Sequence, residues 1–442
     1  MKPLILYGAG NFGIGAYHKF REEGRIPACF CDSDSKYFND VKRIDENTTA
    51  PILSLKEALN QYPDAEFYVT PYTQKIKAQI IKQIVNIGVS ESRIINFEKF
   101  TKRLSCYQLE RQMIVRNFFI APCCVPELIG SELLEVGIYN TRKSNEELLA
   151  DFEVMREREI LYLNDPGNDK GICINCPNLE IDYFSDKDKN ILDIFSFGIG
   201  IDCQFKCIYC YSGPVSGKKQ LNSNIITAKE WLWHQEREFE FARYLLSRGI
   251  INSTTRFTMT TNGEPVLCKL FPEIMMYFKH NPWCVSTNAD VYSFELEQVL
   301  NNKLSEIYVS VDAGTAETFK LVKGKDSFVT VCENIKQYAK YGRITLKYIL
   351  MPGVNDGIED IKGFLELANE VKANVTISRD HRNAGVEAFD RNINKALTAI
   401  SAFMTMANER KINVLEKPDY AFVYGKYKDD IVHAMGVKGG VI

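Results

Sequence analysis

Three cysteines stand within eight residues of this chain, Cys203, Cys207 and Cys210 in the run IDCQFKCIYCYSG. Thiolates are ligands for zinc and for iron–sulfur clusters, so the run reads first as a metal site. A structural zinc takes four ligands, usually as two separated pairs, and this run supplies three. A cubic four-iron cluster normally carries one thiolate per iron, so three thiols on one short loop can cover one cluster face and leave the fourth iron open to an outside ligand. A second group is more dispersed: Cys123 and Cys124 in FFIAPCCVPEL, then Cys173 and Cys176 in GICINCPNLEI. Four thiols suit a second cluster or a structural zinc, and Cys106 can stand in for one of the first pair. Cys29, Cys31, Cys268, Cys284 and Cys332 sit in strand or helix patterns and read as small buried residues.

A different chemistry is suggested near the amino terminus. GAGNFG places Gly8, Gly10 and Gly13 in a GxGxxG spacing between a strand and a helix, with Asp32 or Asp34 about twenty positions on. That pattern can hold a phosphate at a helix amino terminus and a ribose hydroxyl on the acid, which implies a dinucleotide or a nucleotide-sugar. Packing of a small α/β unit explains the same glycines without any ligand.

The elements that must position these residues follow from the apolar periodicity. From residue 190 onward, six apolar runs alternate with amphipathic stretches: 193–201, 256–261, 284–288, 307–311, 344–350 and 374–379. Strands alternating with helices imply parallel βα units, and six of them an open, partial barrel or a doubly wound sheet. Chemistry in either architecture collects at the carboxyl ends of the strands, where the three-cysteine run falls. Residues 1–103 form a separate Rossmann-like α/β domain with strands at 4–10, 27–34, 66–71 and 93–97. Residues 104–190 are a charged, cysteine-containing module, 191–415 the barrel, and 416–442 a tail without clear period. After the sixth strand, Arg379, Asp380, His381 and Arg382 point toward the barrel mouth or form a solvated loop.

Composition narrows the partners. A chain of 442 residues with 45% hydrophobic residues and a formal charge of −3 is an ordinary globular protein with no global attraction to polyanions, so nucleic acid is not expected. No run of apolar residues is long enough to cross a membrane, and the expected location is the cytoplasm.

The CxxxCxxC spacing with Tyr209 before the last cysteine resembles the radical S-adenosylmethionine (SAM) enzymes, and further segments resemble that family in order. TTNGEPVL (260–267) is similar to its GGEP motif, STN (286–288) and SVDAGTAETF (310–319) to its ribose- and carboxylate-contacting segments, and LKYILMPGVND (346–356) to its fifth strand. The resemblance implies a partial (β/α)6 barrel with a [4Fe–4S] cluster on Cys203, Cys207 and Cys210, and SAM held by Tyr209, Gly263, Glu264, Asn288, Ser310 and Asp312. SAM is then cleaved to a 5′-deoxyadenosyl radical that abstracts hydrogen from the substrate, with electrons from a donor such as flavodoxin or ferredoxin. Residues 118–181 resemble the auxiliary-cluster modules called SPASM or twitch, although here they precede the barrel and hold fewer cysteines. The expected substrate is a sugar- or nucleotide-linked metabolite. The alternatives are a ribosomal peptide undergoing maturation, a nicotinamide-dependent iron–sulfur oxidoreductase, and a non-catalytic zinc protein.

Overall fold

The computed structural model describes residues 2–34, 40–45, 48–71, 74–97, 99–116, 119–122, 128–129, 132–133, 136–137, 143–167, 173, 179–185, 191–199, 202–210, 228–259, 263–380, 382–415, 427–434 and 436. The chain divides into two compact units, Met1–Cys106 with Glu180–Asn190, and Tyr107–Leu179 with Ile191–Ile442.

In the first unit β1 (Leu4–Tyr7) leads into α1 (Asn11–Glu22), followed by β2 (Cys29–Cys31), β3 (Val41–Arg43), β4 (Thr49–Leu53), α2 (Leu55–Gln61), β5 (Glu66–Val69), α3 (Gln74–Asn86) and β6 (Phe100–Cys106). The sheet order is β3-β4-β2-β1-β5, with β4, β2, β1 and β5 parallel. Parallel strands bury both faces. Ile5, Tyr7 and Phe67 accordingly pack with Ile80, Ile81 and Ile84 of α3, while Leu4, Leu6 and Phe30 pack with Tyr17 and Phe20 of α1. The run 93–97, expected as a strand, is instead a 3-10 turn at Glu91–Arg93 and a single bridge from Ile94 to Phe67. Asn96 takes up the edge with its side chain, accepting from Val69 N at 3.0 Å and donating to Val69 O at 2.8 Å, where a continuing strand would have used backbone.

The second unit starts with α4 (Tyr107–Arg111), β7 (Gln112–Arg116), β8 (Phe119–Ala121), β9 (Leu128–Ile129), β10 (Glu132–Leu133), β11 (Val136–Gly137) and α5 (Asn145–Asn164). Strand β12 (Leu179–Ser185), which from Glu180 onward belongs to the first unit, pairs there with β6. The six expected βα units then follow: β13 (Ile194–Gly198), α6 (Ala228–Ser247), β14 (Arg256–Met259), α7 (Phe271–Tyr277), β15 (Trp283–Thr287), α8 (Phe294–Leu300), β16 (Glu306–Ser310), α9 (Ala316–Lys323), α10 (Phe328–Tyr338), β17 (Arg343–Leu350), α11 (Ile358–Glu370) and β18 (Asn374–Arg379). Helices α12 (Asn383–Arg391), α13 (Ile393–Glu409) and α14 (Lys428–Ala434) close the series.

Strands β13 to β18 are parallel neighbours in chain order, as the periodicity predicts. The sheet extends beyond them, because β7 pairs in parallel with β13 and carries β8 and β11 outside it. Part of the stretch 104–190 therefore belongs to the large sheet, and α5 buries Leu148, Phe152 and Met155 in the same core. One sheet face meets the helices through packed aromatics: Phe197, Phe257, Trp283 and Phe278 on one side, Tyr348, Phe364 and Phe403 on the other. Burial of each large side chain of this kind is worth roughly 1.5–3 kcal/mol.

Candidate active site

The three-cysteine run leaves the carboxyl end of β13, and its described part, Asp202 to Cys210, is held by its backbone. Lys206 N donates to Lys323 O at 2.9 Å and Ile208 N to Val322 O at 3.0 Å, so the loop lies along the last turn of α9. Phe205 stacks edge-on against Phe319 of that helix. Gly324 ends α9 with φ of +71°, and a Cβ there would sit 3.1 Å from Lys206 Cβ and O. Glycine is required by both the left-handed conformation and the closeness of the loop.

Beneath the loop is a buried polar triad. Tyr209 Oη donates to Asp312 Oδ2 at 2.5 Å, and Lys323 Nζ donates to Tyr209 Oη at 2.6 Å and to Asp312 Oδ2 at 2.5 Å. The Lys323 and Asp312 side chains are 1% and 0% exposed. Asp312 Oδ1 also accepts from Ile349 N at 2.6 Å, while Asn355 Nδ2 donates to Asp312 O and Ile349 O at 2.8 Å each. Burial and the adjacent Asp312 carboxylate push the Tyr209 phenol well above its usual range, so it stays a donor. Removing one partner of such a pair costs about 3–5 kcal/mol, because the other charge is left buried. Through these bonds the polar groups of Tyr209 and Asp312 anchor the cysteine loop to β16 and α9. Lys323 and Gly324 carry no motif in the sequence, and Asn355 lies in the LKYILMPGVND segment without being singled out there; the fold shows their part.

A second bracket joins the loops after β14 and β15. Glu264 is 3% exposed, and its carboxylate accepts from Thr287 Oγ1 at 2.6 Å, Asn288 N at 2.7 Å and Val266 N at 3.4 Å. Its own N donates to Asp202 O at 2.7 Å, which ties the bracket to the cysteine run. Burial raises its pKa to about 7 against the pull of these donors. Three of roughly four acceptor positions on the carboxylate are thus used by the protein, leaving one for a ligand. Gly263 precedes it, and residues 260–262 of the same motif lie outside the described residues.

Asn288 reaches the cysteines directly. Its Nδ2 donates to Cys203 Sγ at 3.7 Å, and its Oδ1 accepts from Gln204 Nε2 at 3.1 Å and Asp290 N at 3.0 Å. Its amide is thus engaged with the cysteine run. Ser310 ends β16 on the sheet face opposite the helices and is half-buried. Among the described residues, Ser310 Oγ has no side-chain partner.

Cys203, Cys207 and Cys210 are in no disulfide, and burial raises the thiols of Cys203 and Cys207. Among the described residues no three Cys, His, Asp or Glu side chains converge as the ligands of one metal ion. A four-iron cluster attaches each thiolate to a different iron, so three thiols on one loop can serve three of its irons. Cys123, Cys124 and Cys176 of the second group lie outside the described residues, and Cys173 is half-buried. Cys106 is buried at the end of β6.

The GxGxxG turn has a packing explanation. Gly8 has φ of +111°, and a Cβ there would lie 2.4 Å from Thr70 Oγ1; a Cβ on Gly13 would lie 2.2 Å from Gly8 O. Around Gly10 a Cβ would meet nothing within 4 Å. Asp32 Oδ2 accepts from Ala9 N at 3.0 Å and Oδ1 from Asp34 N at 3.1 Å, so the acid is tied to the glycine turn. After β18, Arg379 stacks on Phe389 and Asp380 is gripped by Arg382 at 2.6 Å; His381 lies outside the described residues.

The radical SAM superfamily profile matches residues 199–368. This chain carries a radical SAM domain. The cofactors of that superfamily are a [4Fe–4S] cluster and SAM. The chain is similar to the GTP 3′,8-cyclase of Psychromonas ingrahamii, 27% identical over 160 residues, or 35% of this chain and 43% of that protein. It is also similar to the GTP 3′,8-cyclase of Edwardsiella ictaluri, 29% identical over 161 residues, or 35% and 45%. The chain thus spans less than half the length of these two curated relatives. A similar solved structure is Streptococcus suis SuiB bound to S-adenosylmethionine, with 13% identity and a TM-score of 0.36 over 64% of this chain and 59% of that one. Among the described residues no helix of the radical SAM chain is long and apolar enough to cross a membrane.

Proposed function

We propose that the chain is a radical SAM enzyme whose cluster is held by Cys203, Cys207 and Cys210 and whose substrate is a nucleotide- or sugar-linked small molecule. The observation that carries this reading is the three-thiol loop, seated at the carboxyl ends of parallel strands and locked by Tyr209, Asp312 and Lys323. When bound, the cluster and SAM supply a 5′-deoxyadenosyl radical that removes a hydrogen atom from the substrate.

The chain's own residues hold and orient. Asn288 donates an N–H to the Cys203 sulfur, which favours its thiolate form. The remaining acceptor position of Glu264, beside Gly263, suits the ammonium of SAM, and Ser310 its carboxylate. Electrons come from an external donor such as flavodoxin or ferredoxin. The similarity to two GTP 3′,8-cyclases supports the nucleotide-linked class.

The test is reconstitution under anaerobic conditions. Alanine in place of Cys203, Cys207 or Cys210 is expected to abolish 5′-deoxyadenosine formation and to lower the iron content by about four per chain. Normal cleavage in any one of the three variants would sink the reading. The wild-type count decides the second cysteine group: about eight irons for a cluster on Cys123, Cys124, Cys173 and Cys176, about four without it.

A further inference from the structure

Strand parity sorts the second unit's sheet into two faces. On β16 Val309 lies in the core under the helices, on β17 Leu346 and Tyr348, and on β18 Val375 and Ile377; Tyr348 meets Phe364 of α11 at 4.8 Å. The alternate positions point to the opposite face. There Ser310 is the register partner of Lys347, and Lys347 of Thr376, so one row crosses three strands. Ser378 lies two residues beyond Thr376 on the same face.

The polar groups of this row are unspent. Thr376 and Ser378 are 1% and 6% exposed, and Thr376 Oγ1 and Ser378 Oγ have no hydrogen-bond partner among the described residues. Lys347 is half-buried, and among the described residues its ammonium has no hydrogen bond and no ion pair. Buried hydroxyls without partners are costly to keep, so a strand that retains two of them beside a cation calls for something to fill the demand. Water satisfies hydroxyls, but it does not neutralise an ammonium. A group with several acceptor oxygens and negative charge does both.

We infer that Lys347, with the hydroxyls of Thr376 and Ser378, binds an oxyanion of the substrate, a phosphate or a carboxylate, against the inner wall of β17–β18. The inference rests on the proposed radical SAM reading for calling that oxyanion the substrate's. It deepens that reading, because it requires the substrate to carry an anionic group. Lys347 lies one step below Ile349, whose backbone N holds Asp312 under the cysteine loop, so the bound anion sits on the cluster side of the sheet.

The experiment is calorimetric titration of the full, cluster-reconstituted chain with two probes separately, inorganic phosphate and acetate, each with and without saturating SAM. One probe is expected to bind at a single site, and which one it is distinguishes a phosphate-bearing from a carboxylate-bearing substrate. Lys347→Met should weaken that probe at least tenfold and Lys347→Arg should restore most of it. Thr376→Val, nearly isosteric, should weaken it severalfold and guards against a folding defect in the lysine variant. Binding of neither probe, or equal binding by wild type and both Lys347→Met and Thr376→Val, would overturn the inference. Displacement of the probe by SAM would also overturn it, since the anion would then be the cofactor's own carboxylate. Failure of the wild type to cleave SAM strikes the radical SAM reading instead and leaves these affinities readable.

Discussion

Glu264 shows how one buried carboxylate registers both stability and site geometry. Its folded pKa of about 7 lies above the ordinary 4.5 because burial outweighs the donors on Thr287, Asn288 and Val266. The folded state therefore binds this proton more tightly than the unfolded state does. Its contribution is fully present below about pH 4.5 and is lost as pH rises through about 7. At about 1.4 kcal/mol per pKa unit the loss is on the order of 3 kcal/mol. Glu264→Gln keeps an acceptor for Asn288 N and cannot ionise, so urea denaturation of the apoprotein should show wild type losing stability between pH 5 and 8 relative to the variant. Parallel pH dependence of the two proteins would show that Glu264 is ionised in the fold at no cost. The NGEP motif pointed to this residue, but its bond to Thr287 needed the fold.

At the scale of elements, the contact between the cysteine run and the end of α9 is the joint on which the site depends. Gly324 has a left-handed φ and touches Lys206 across it. Gly324→Ala should cost about 1–2 kcal/mol for the conformation alone, and more if Lys206 cannot give way. The expected result is a lower denaturation midpoint in the apoprotein together with fewer irons retained after reconstitution. A midpoint and iron content both equal to wild type would show that the loop does not depend on α9. Nothing in LVKGKD announces this joint, because a glycine after a helix is an ordinary C-cap and its partner lies far away in sequence. The βα series was legible for a physical reason: a parallel strand buried on both faces reads as an apolar run. Strands β7 and β8 were not, since they are short and lie in a charged stretch. Lys347 was overlooked because a lone cation inside ITLKYIL shows its meaning only when parity sets it against Ser310 and Thr376.

On the scale of the whole molecule, the two units have separate cores. Ile5, Phe67 and Ile84 belong to one set of buried side chains and Leu4, Leu6 and Phe30 to another in the first unit, whereas the second unit gathers Met113, Phe152, Phe257, Trp283, Val309, Tyr348 and Phe403 into a single cluster. A unit with its own core can unfold on its own terms, and a chain with two of them departs from two-state behaviour. Thermal unfolding of the apoprotein is expected to show two transitions. Anaerobic loading with the cluster and SAM should raise only the transition of the second unit, because every residue assigned here to that site lies in Tyr107–Leu179 or Ile191–Ile442. A ligand that binds only the folded form at a hundredfold excess over its dissociation constant stabilises by about 2.7 kcal/mol, enough to separate the peaks by several degrees. Addition of a dinucleotide or a nucleotide-sugar supplies the complementary arm. If the GAGNFG turn binds one, the other transition should rise. If Gly8 and Gly13 serve packing against Thr70 and Phe30 alone, it should stay where it is. A single transition that moves as a whole with either ligand would mean that the two cores unfold together, and the separation argued from their packing would be wrong.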